Sequence, residues 1–126
     1  MILLDTSAWI EYLASTEAGD EVKDLFYQNA GIYTCPLTIA EISVWCHKNN
    51  EDPDRYLAKI RELSSMIEIT EDILIASGRI YCEERKKQGK IGIVDCIIHT
   101  TARFHGIILW TKDSDFKGLP GVKMLK

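Results

Sequence analysis

Met1-Ile2-Leu3-Leu4-Asp5-Thr6-Ser7-Ala8-Trp9-Ile10 opens the chain, and the architecture can be read outward from it. Ile2 to Leu4 is an apolar run too short for a helix, and Asp5 closes it. Thr6 and Ser7 then offer good N-caps for a helix through Trp9, Ile10 and Leu13, so a buried strand passes straight into a helix. The same junction recurs. After a polar break at Ser15 to Gly19, the spacing predicts a helix from about Asp20 to Gln28, with Val22, Leu25 and Phe26 on one face and Gly31 as its stop. Ile32 to Cys35 reads as a second strand, Pro36 marks a turn, and Thr38 opens a helix carrying Ile39, Ile42, Trp45 and Cys46.

Beyond the loop Asn49 to Asp54, a helix through Tyr56, Leu57, Ile60 and Leu63 leads to a third strand candidate, Met66 to Ile69. Thr70 caps a helix with Ile73, Leu74, Ala76, Ile80 and Tyr81 on one side, stopping at Gln88 and Gly89. Gly92 to Val94 reads as an extended lead-in to a helix that starts at Asp95, passes Ile98, Ala102 and Phe104, and stops at Gly106. Ile107 to Trp110 is a strand ending in the polar turn Thr111 to Phe116, and Val122 to Leu125 is a further strand. Strands alternating with helices imply right-handed crossovers. The expected fold is therefore α/β, a mainly parallel sheet of four to five strands flanked by helices on both faces, in one domain over residues 1–126.

The chain's 126 residues, 46% hydrophobic and 27% charged, suit one globular unit. No apolar run approaches the roughly 18 residues of a membrane span, and nothing resembles a signal peptide, so the expected location is the cytoplasm and no membrane partner is expected. Cys35, Cys46, Cys82 and Cys96 stand singly among apolar neighbours, without metal-ligand or redox spacing, and read as reduced thiols. The net charge of −4 argues against a protein that grips nucleic acid by electrostatics alone. The distribution is uneven, with 11 acids and 5 bases in residues 1 to 63 but 8 acids and 10 bases in residues 64 to 126. Arg85, Lys86, Lys87 and Lys90 form the densest basic run, readable either as a cationic surface or as a solvated helix end.

Four acids fall where an open α/β sheet places its ligands, beyond the carboxyl ends of strands. Asp5 follows the first strand, Glu41 lies in the first turn after the second, Asp95 starts a helix, and Asp113 follows the strand Ile107 to Trp110. Singly, each has a bland reading. Asp5 or Asp95 suits an N-cap, Thr38-x-x-Glu41 a capping box, and Asp113 a turn. Convergence is what capping does not explain. Carboxylates about 5 Å apart repel by about 0.8 kcal/mol per pair in water and about 3 kcal/mol at an effective dielectric near 20. Such a cluster binds cations, raises a carboxyl pKa or stays hydrated. All-oxygen donors with no His or Cys among them suit Mg²⁺ or Mn²⁺ better than zinc, and helix N-termini would offset part of the repulsion. A hard ion so held lowers the pKa of a water and stabilises charge on phosphorus oxygens, as phosphodiester hydrolysis requires. Thr6, Ser7 and Thr111 are placed to hydrogen-bond the ligands or waters of such a site, or simply to cap. His47, His99 and His105 read as surface or helix-end residues without a general-base role.

At this point the sequence resembles the PIN-domain family and, within it, the VapC-type toxins. Leu4-Asp5-Thr6-Ser7 resembles the first family motif and Leu37-Thr38-Ile39-Ala40-Glu41-Ile42 the second. Val94-Asp95-Cys96-Ile97-Ile98 with Ala102 resembles the third, and Leu109-Trp110-Thr111-Lys112-Asp113-Ser114-Asp115-Phe116 the fourth. The resemblance implies a PIN-like α/β/α sandwich and a Mg²⁺- or Mn²⁺-dependent endoribonuclease. In it Asp5, Glu41, Asp95 and Asp113 are the catalytic metal ligands, with Asp115 either joining the site or serving the turn. It also implies an RNA substrate, a homodimer, and a small VapB-like antitoxin through which the complex binds promoter DNA. Trp9, Ile10, Tyr12, Leu13 and Trp45 are candidates for antitoxin or dimer contact, or for core packing.

Other classes fit less well. A haloacid-dehalogenase phosphatase needs a second Asp where Ser7 stands, and the acids do not follow the pattern of a receiver domain. A PIN nuclease that processes RNA without an antitoxin, and a noncatalytic PIN-like module that binds RNA or protein, are the readings that compete with the toxin.

Overall fold

In the computed structural model, which describes residues 1–126, strand β1 (Ile2–Leu4) hands over to helix α1 (Thr6–Leu13) at Asp5. Asp5 is itself the N-cap, its carboxyl accepting from the Ala8 amide at 2.8 Å, so the cap is Asp5 rather than Thr6 or Ser7. Helix α2 (Glu17–Tyr27), strand β2 (Ile32–Thr34), α3 (Pro36–Lys48), α4 (Pro53–Leu63) and the two-residue strand β3 (Ser65–Met66) follow. The chain continues through α5 (Glu71–Lys86), α6 (Ile93–His105), β4 (Ile108–Thr111), a 3₁₀ turn (Ser114–Phe116) and β5 (Val122–Met124). No helix is long and apolar enough to cross a membrane.

The strands lie in the order β3-β2-β1-β4-β5, with every neighbouring pair parallel. From β1 the chain steps outward to β2 and β3, then crosses back to β4 on the other side. The winding therefore reverses between β1 and β4, and the crevice that such a switch opens lies beyond Leu4 and Thr111. Side chains of a strand alternate between faces, and β1 lies mid-sheet, so Leu3 and Leu4 are both fully buried on opposite sides. Leu4 packs with Trp9, Val22, Ile42 and Ile60, which places α1 to α4 over one face. Leu3 and Leu109 pack with Cys96, Ile98 and Ala102, with Ile80 and Tyr81 of α5 against them, which places α5 and α6 over the other. Each fully buried Leu or Ile contributes on the order of 1.5–3 kcal/mol. Trp9 keeps its indole N–H satisfied by donating to Thr34 Oγ1 at 3.1 Å.

Two glycines are required by geometry. At Gly19 a Cβ would lie 2.2 Å from the Glu11 carbonyl oxygen, so α2 can cross α1 this closely only with a glycine there. Gly106 ends α6 in the left-handed region at φ 68°.

The structure moves several sequence-read boundaries. Helix α2 ends at Tyr27, with Asn29 rather than Gly31 taking the positive φ. Helix α3 starts at Pro36 with Cys35 as an N-cap that makes no side-chain bond, so the Thr38-x-x-Glu41 capping box does not form and Glu41 is in the second turn. Helix α6 starts at Ile93 rather than Asp95, and Gly92 to Val94 is not an extended lead-in. The third strand is Ser65–Met66, which shares only Met66 with the expected run Met66 to Ile69. Cys35, Cys46 and Cys96 are buried free thiols, while Cys82 is exposed. His99 is buried rather than at the surface.

Candidate active site

Asp5 lies at the mouth of the crevice with its carboxyl almost wholly engaged. Oδ1 accepts from the Ala8 amide and from Ser7 Oγ at 2.7 Å, and Oδ2 accepts from Thr111 Oγ1 at 2.5 Å. The Thr111 bond ties the end of β4 to the end of β1. Ser7 Oγ also accepts the Lys112 amide at 2.9 Å and lies 3.1 Å from Thr111 Oγ1. Asp5 is only 2% exposed, and that burial pushes its carboxyl up to about 6. The bonds from Thr111, Ala8 and Ser7 pull the other way, and the charge of Asp113 adds to the rise.

Glu41 reaches the site from α3. Thr6 Oγ1, at the start of α1, donates to Glu41 Oε1 at 2.5 Å and lies 3.1 Å from Thr38 Oγ1. Thr38 is fully buried, one helical turn before Glu41, and works with Thr6 to fix that carboxylate. In the sequence Thr38 reads as part of a cap, and only its position one turn before an acid points to this role. Asp113 caps the 3₁₀ turn: its amide donates to Thr111 Oγ1 at 3.0 Å and its Oδ1 accepts the Asp115 amide at 2.9 Å. Asp115 is exposed on that turn.

Asp95, in the first turn of α6, is the group on which the others act. Its half-buried carboxyl is pushed up to about 7, first by burial and then by the charges of Asp113, Glu41, Asp5 and Asp115 in that order, with no hydrogen bond from the chain to offset them. Acids from three separate segments thus lie within electrostatic reach of one carboxyl on a fourth, Asp115 exerting the least. No base neutralises them. The ion pairs of the protein are Arg79–Glu83, Lys87–Glu84 and Lys123–Glu21, and the Lys112 ammonium donates to the Lys126 carbonyl instead.

No three acidic, His or Cys side chains close on one point as a ready-made cage. The donors that do converge are carboxylate and hydroxyl oxygens, the set preferred by a hard cation. A small hard cation that keeps several waters is held by only one or two carboxylates, so an open arrangement fits such an ion.

His99 anchors the far side. One turn beyond Asp95 on α6, its Nε2 donates to the Pro120 carbonyl at 2.8 Å and so ties α6 to the loop that follows Asp113 and Asp115. Burial lowers its pKa and keeps it neutral, with Nδ1 buried and unpartnered. Burial and then the Asp95 charge push the neighbouring Cys96 thiol up to about 11, far from the range of a reactive thiolate.

Among solved structures, VapBC2 from Rickettsia felis bound to a promoter DNA fragment superimposes with a TM-score of 0.80 at 20% identity, covering 100% of both chains. VapC20 from Mycobacterium tuberculosis, a sarcin-ricin loop cleaving toxin, gives 0.80 at 17% identity, again over 100% of both chains. A toxin–antitoxin complex from Klebsiella pneumoniae gives 0.76 at 23% identity, covering 98% of this chain and 97% of that one. At such identities the likeness is one of fold. No curated protein matches the chain. The PIN domain family model, however, matches residues 2–122, the span that carries every strand but the last two residues of β5 and all of the acids above: the chain belongs to the PIN-domain family.

Proposed function

We propose that this chain is a divalent-metal-dependent endoribonuclease, the toxin of a type II toxin–antitoxin pair, acting in the cytoplasm through Asp5, Glu41, Asp95 and Asp113. The observation that carries the reading is the carboxyl of Asp95, raised by burial and by four other acids with no base to relieve it. A purely structural acid is normally paired or hydrogen-bonded, because an unrelieved buried charge is costly. Mg²⁺ or Mn²⁺, when bound, supplies the charge that offsets these carboxylates, acidifies a water and stabilises the phosphorus oxygens during in-line displacement.

The residues of the chain divide the remaining work. Asp5, locked by Ser7, the Ala8 amide and Thr111, is a fixed carboxylate. Glu41 is aimed by Thr6. Asp95 has no partner within the chain, so it is the carboxyl free to take an ion or to accept a hydrogen bond from the attacking water. Asp113 rides on the turn that Thr111 and His99 hold in place, and Asp115 beside it modulates the field.

Family membership supports nuclease chemistry. Neighbours of the same fold that include toxin–antitoxin complexes, one of them on promoter DNA, and a toxin that cleaves the sarcin-ricin loop support an RNA substrate, a VapB-like antitoxin and DNA contact through that antitoxin. Leu74 and Ile75 leave apolar surface exposed on α5, which a second copy in a homodimer would cover. The test is induction of the chain in cells with and without the adjacent reading frame, followed by mapping of new RNA ends. Growth arrest with discrete cleavage sites, relieved by the neighbour, is expected. Discrete cleavage that the neighbour does not relieve removes the antitoxin, and no cleavage at all removes the nuclease.

A further inference from the structure

A cleft of about 460 Å³ opens between the end of α1, the start of α2 and the first half of α4. Its walls carry Lys23, Arg55 and Lys59, the rings of Tyr12 and Tyr56, and a single acid, Asp20. Residues 1 to 63 hold only five bases against 11 acids, so three of those five meeting in one cleft is a marked local reversal of charge. None of the three is in an ion pair of the protein. The Arg55 guanidinium lies 5.7 Å from the centre of the Tyr56 ring, so cation and aromatic face are presented together.

The cleft leads from the acids. Tyr12 is six residues beyond Thr6 on α1, about 9 Å along the helix axis. Tyr56 packs edge-on against Trp45, ring centres 5.7 Å apart, and Trp45 is one turn beyond Glu41 on α3. The bond between Thr6 and Glu41 joins α1 and α3 at the acids, so the cleft lies farther out along α1, with Trp45 of α3 packed against its Tyr56. A polyanion approaching a cluster of carboxylates on a chain of net charge −4 needs cations close by to hold it there. Lysines and an arginine for phosphates, with an aromatic ring beside them, are the side chains with which single strands are held.

We propose that this cleft is a subsite for single-stranded RNA, gripping the backbone away from the bond being cut. The proposal rests on the nuclease reading above for its substrate, but it concerns binding, so it can fail separately. Direct contacts remote from the reacting phosphate bind ground state and transition state alike, so their loss raises KM and leaves kcat unchanged.

The experiment measures fluorescence anisotropy of a labelled mixed-sequence single-stranded oligoribonucleotide with the full chain in chelator, where no cleavage occurs, from about 50 to about 200 mM salt. The combined variant Lys23→Gln, Arg55→Gln, Lys59→Gln is compared with the wild type and with Lys86→Gln, Lys87→Gln, Lys90→Gln. Thermal unfolding checks the fold of each; Lys23, Arg55 and Lys59 are exposed, so it is expected to be unaffected. The first variant should bind at least about tenfold more weakly, with the log Kd against log salt slope flattened by about 2 for three lost phosphate contacts. The second should bind as the wild type does. No RNA binding by the wild type, equal binding by the cleft variant, or loss confined to the Lys86, Lys87, Lys90 variant overturns the proposal. Unchanged RNA affinity with loss of binding to a polyglutamate peptide also overturns it and assigns the cleft to an acidic protein partner. Normal RNA binding through the cleft without cleavage in Mg²⁺ or Mn²⁺ would instead refute the nuclease reading and leave the subsite standing.

Discussion

In the metal-free protein, Asp5→Asn should stabilise the fold at pH 8 and leave it nearly unchanged at pH 4. Burial holds the Asp5 carboxyl at about 6 in the folded chain against an ordinary 3.8, and each unit is worth about 1.4 kcal/mol, so ionisation in place costs about 3 kcal/mol. Between those values the folded state binds the proton that the unfolded state has released. The favourable contribution is therefore complete below about pH 3.8 and lost as the pH rises through about 6. An amide has no proton to lose, and the site can accept it. Its oxygen keeps the bonds from Ala8 and Ser7, and its nitrogen donates to Thr111 Oγ1, whose own hydrogen turns to Ser7 Oγ 3.1 Å away. Allowing for weaker neutral bonds, the gain at pH 8 is about 2–3 kcal/mol, or roughly 8–12 °C in Tm for a chain of this length. Thermal and urea unfolding in chelator at pH 4, 6 and 8 measures it. A shift of the same size at every pH, or destabilisation at pH 8, would refute the reasoning.

Two further outcomes follow from the same geometry. Because Asp95 titrates near 7 and an ion needs the carboxylate, Mn²⁺ affinity measured by calorimetry should fall about tenfold per unit as the pH drops below about 7, and Asp95→Asn should bind weakly with that dependence gone; a flat profile in the wild type contradicts it. Thr6→Val leaves Glu41 without its orienting donor and should lower cleavage about 10- to 100-fold with little change in Tm, whereas full activity would show that Glu41 needs no such aim.

Where local signals and tertiary structure agree, the fold is legible in the sequence. The apolar triplet before Asp5, the glycine after His105 and the run before Thr111 mark β1, the end of α6 and β4 to within a residue. The helix starts at α3 and α6 are less legible for one reason. Cys35 and Gly92 cap with backbone alone and Pro36 takes the first helical position, so the polar residues just inside, Thr38 and Asp95, imitate caps. The site borrowed the residue types that capping also prefers. His99 looked like a surface residue because its partner, the Pro120 carbonyl, is 21 residues away and is supplied only by the fold. The basic cleft was invisible for the same cause: Lys23, Arg55 and Lys59 are scattered along a predominantly acidic half, while Arg85, Lys86 and Lys87 are consecutive and lie at the end of α5.

The central claim is that carboxylates from four segments work together on RNA through a hard cation. Its most direct test is incubation of the purified chain with labelled single-stranded RNA in Mg²⁺, in Mn²⁺ and in excess chelator, alongside Asp95→Asn. The account predicts cleavage with either ion and none with chelator or with the variant, whose circular dichroism should match the wild type. Cleavage that persists in chelator, or that Asp95→Asn carries out at the wild-type rate, would contradict it.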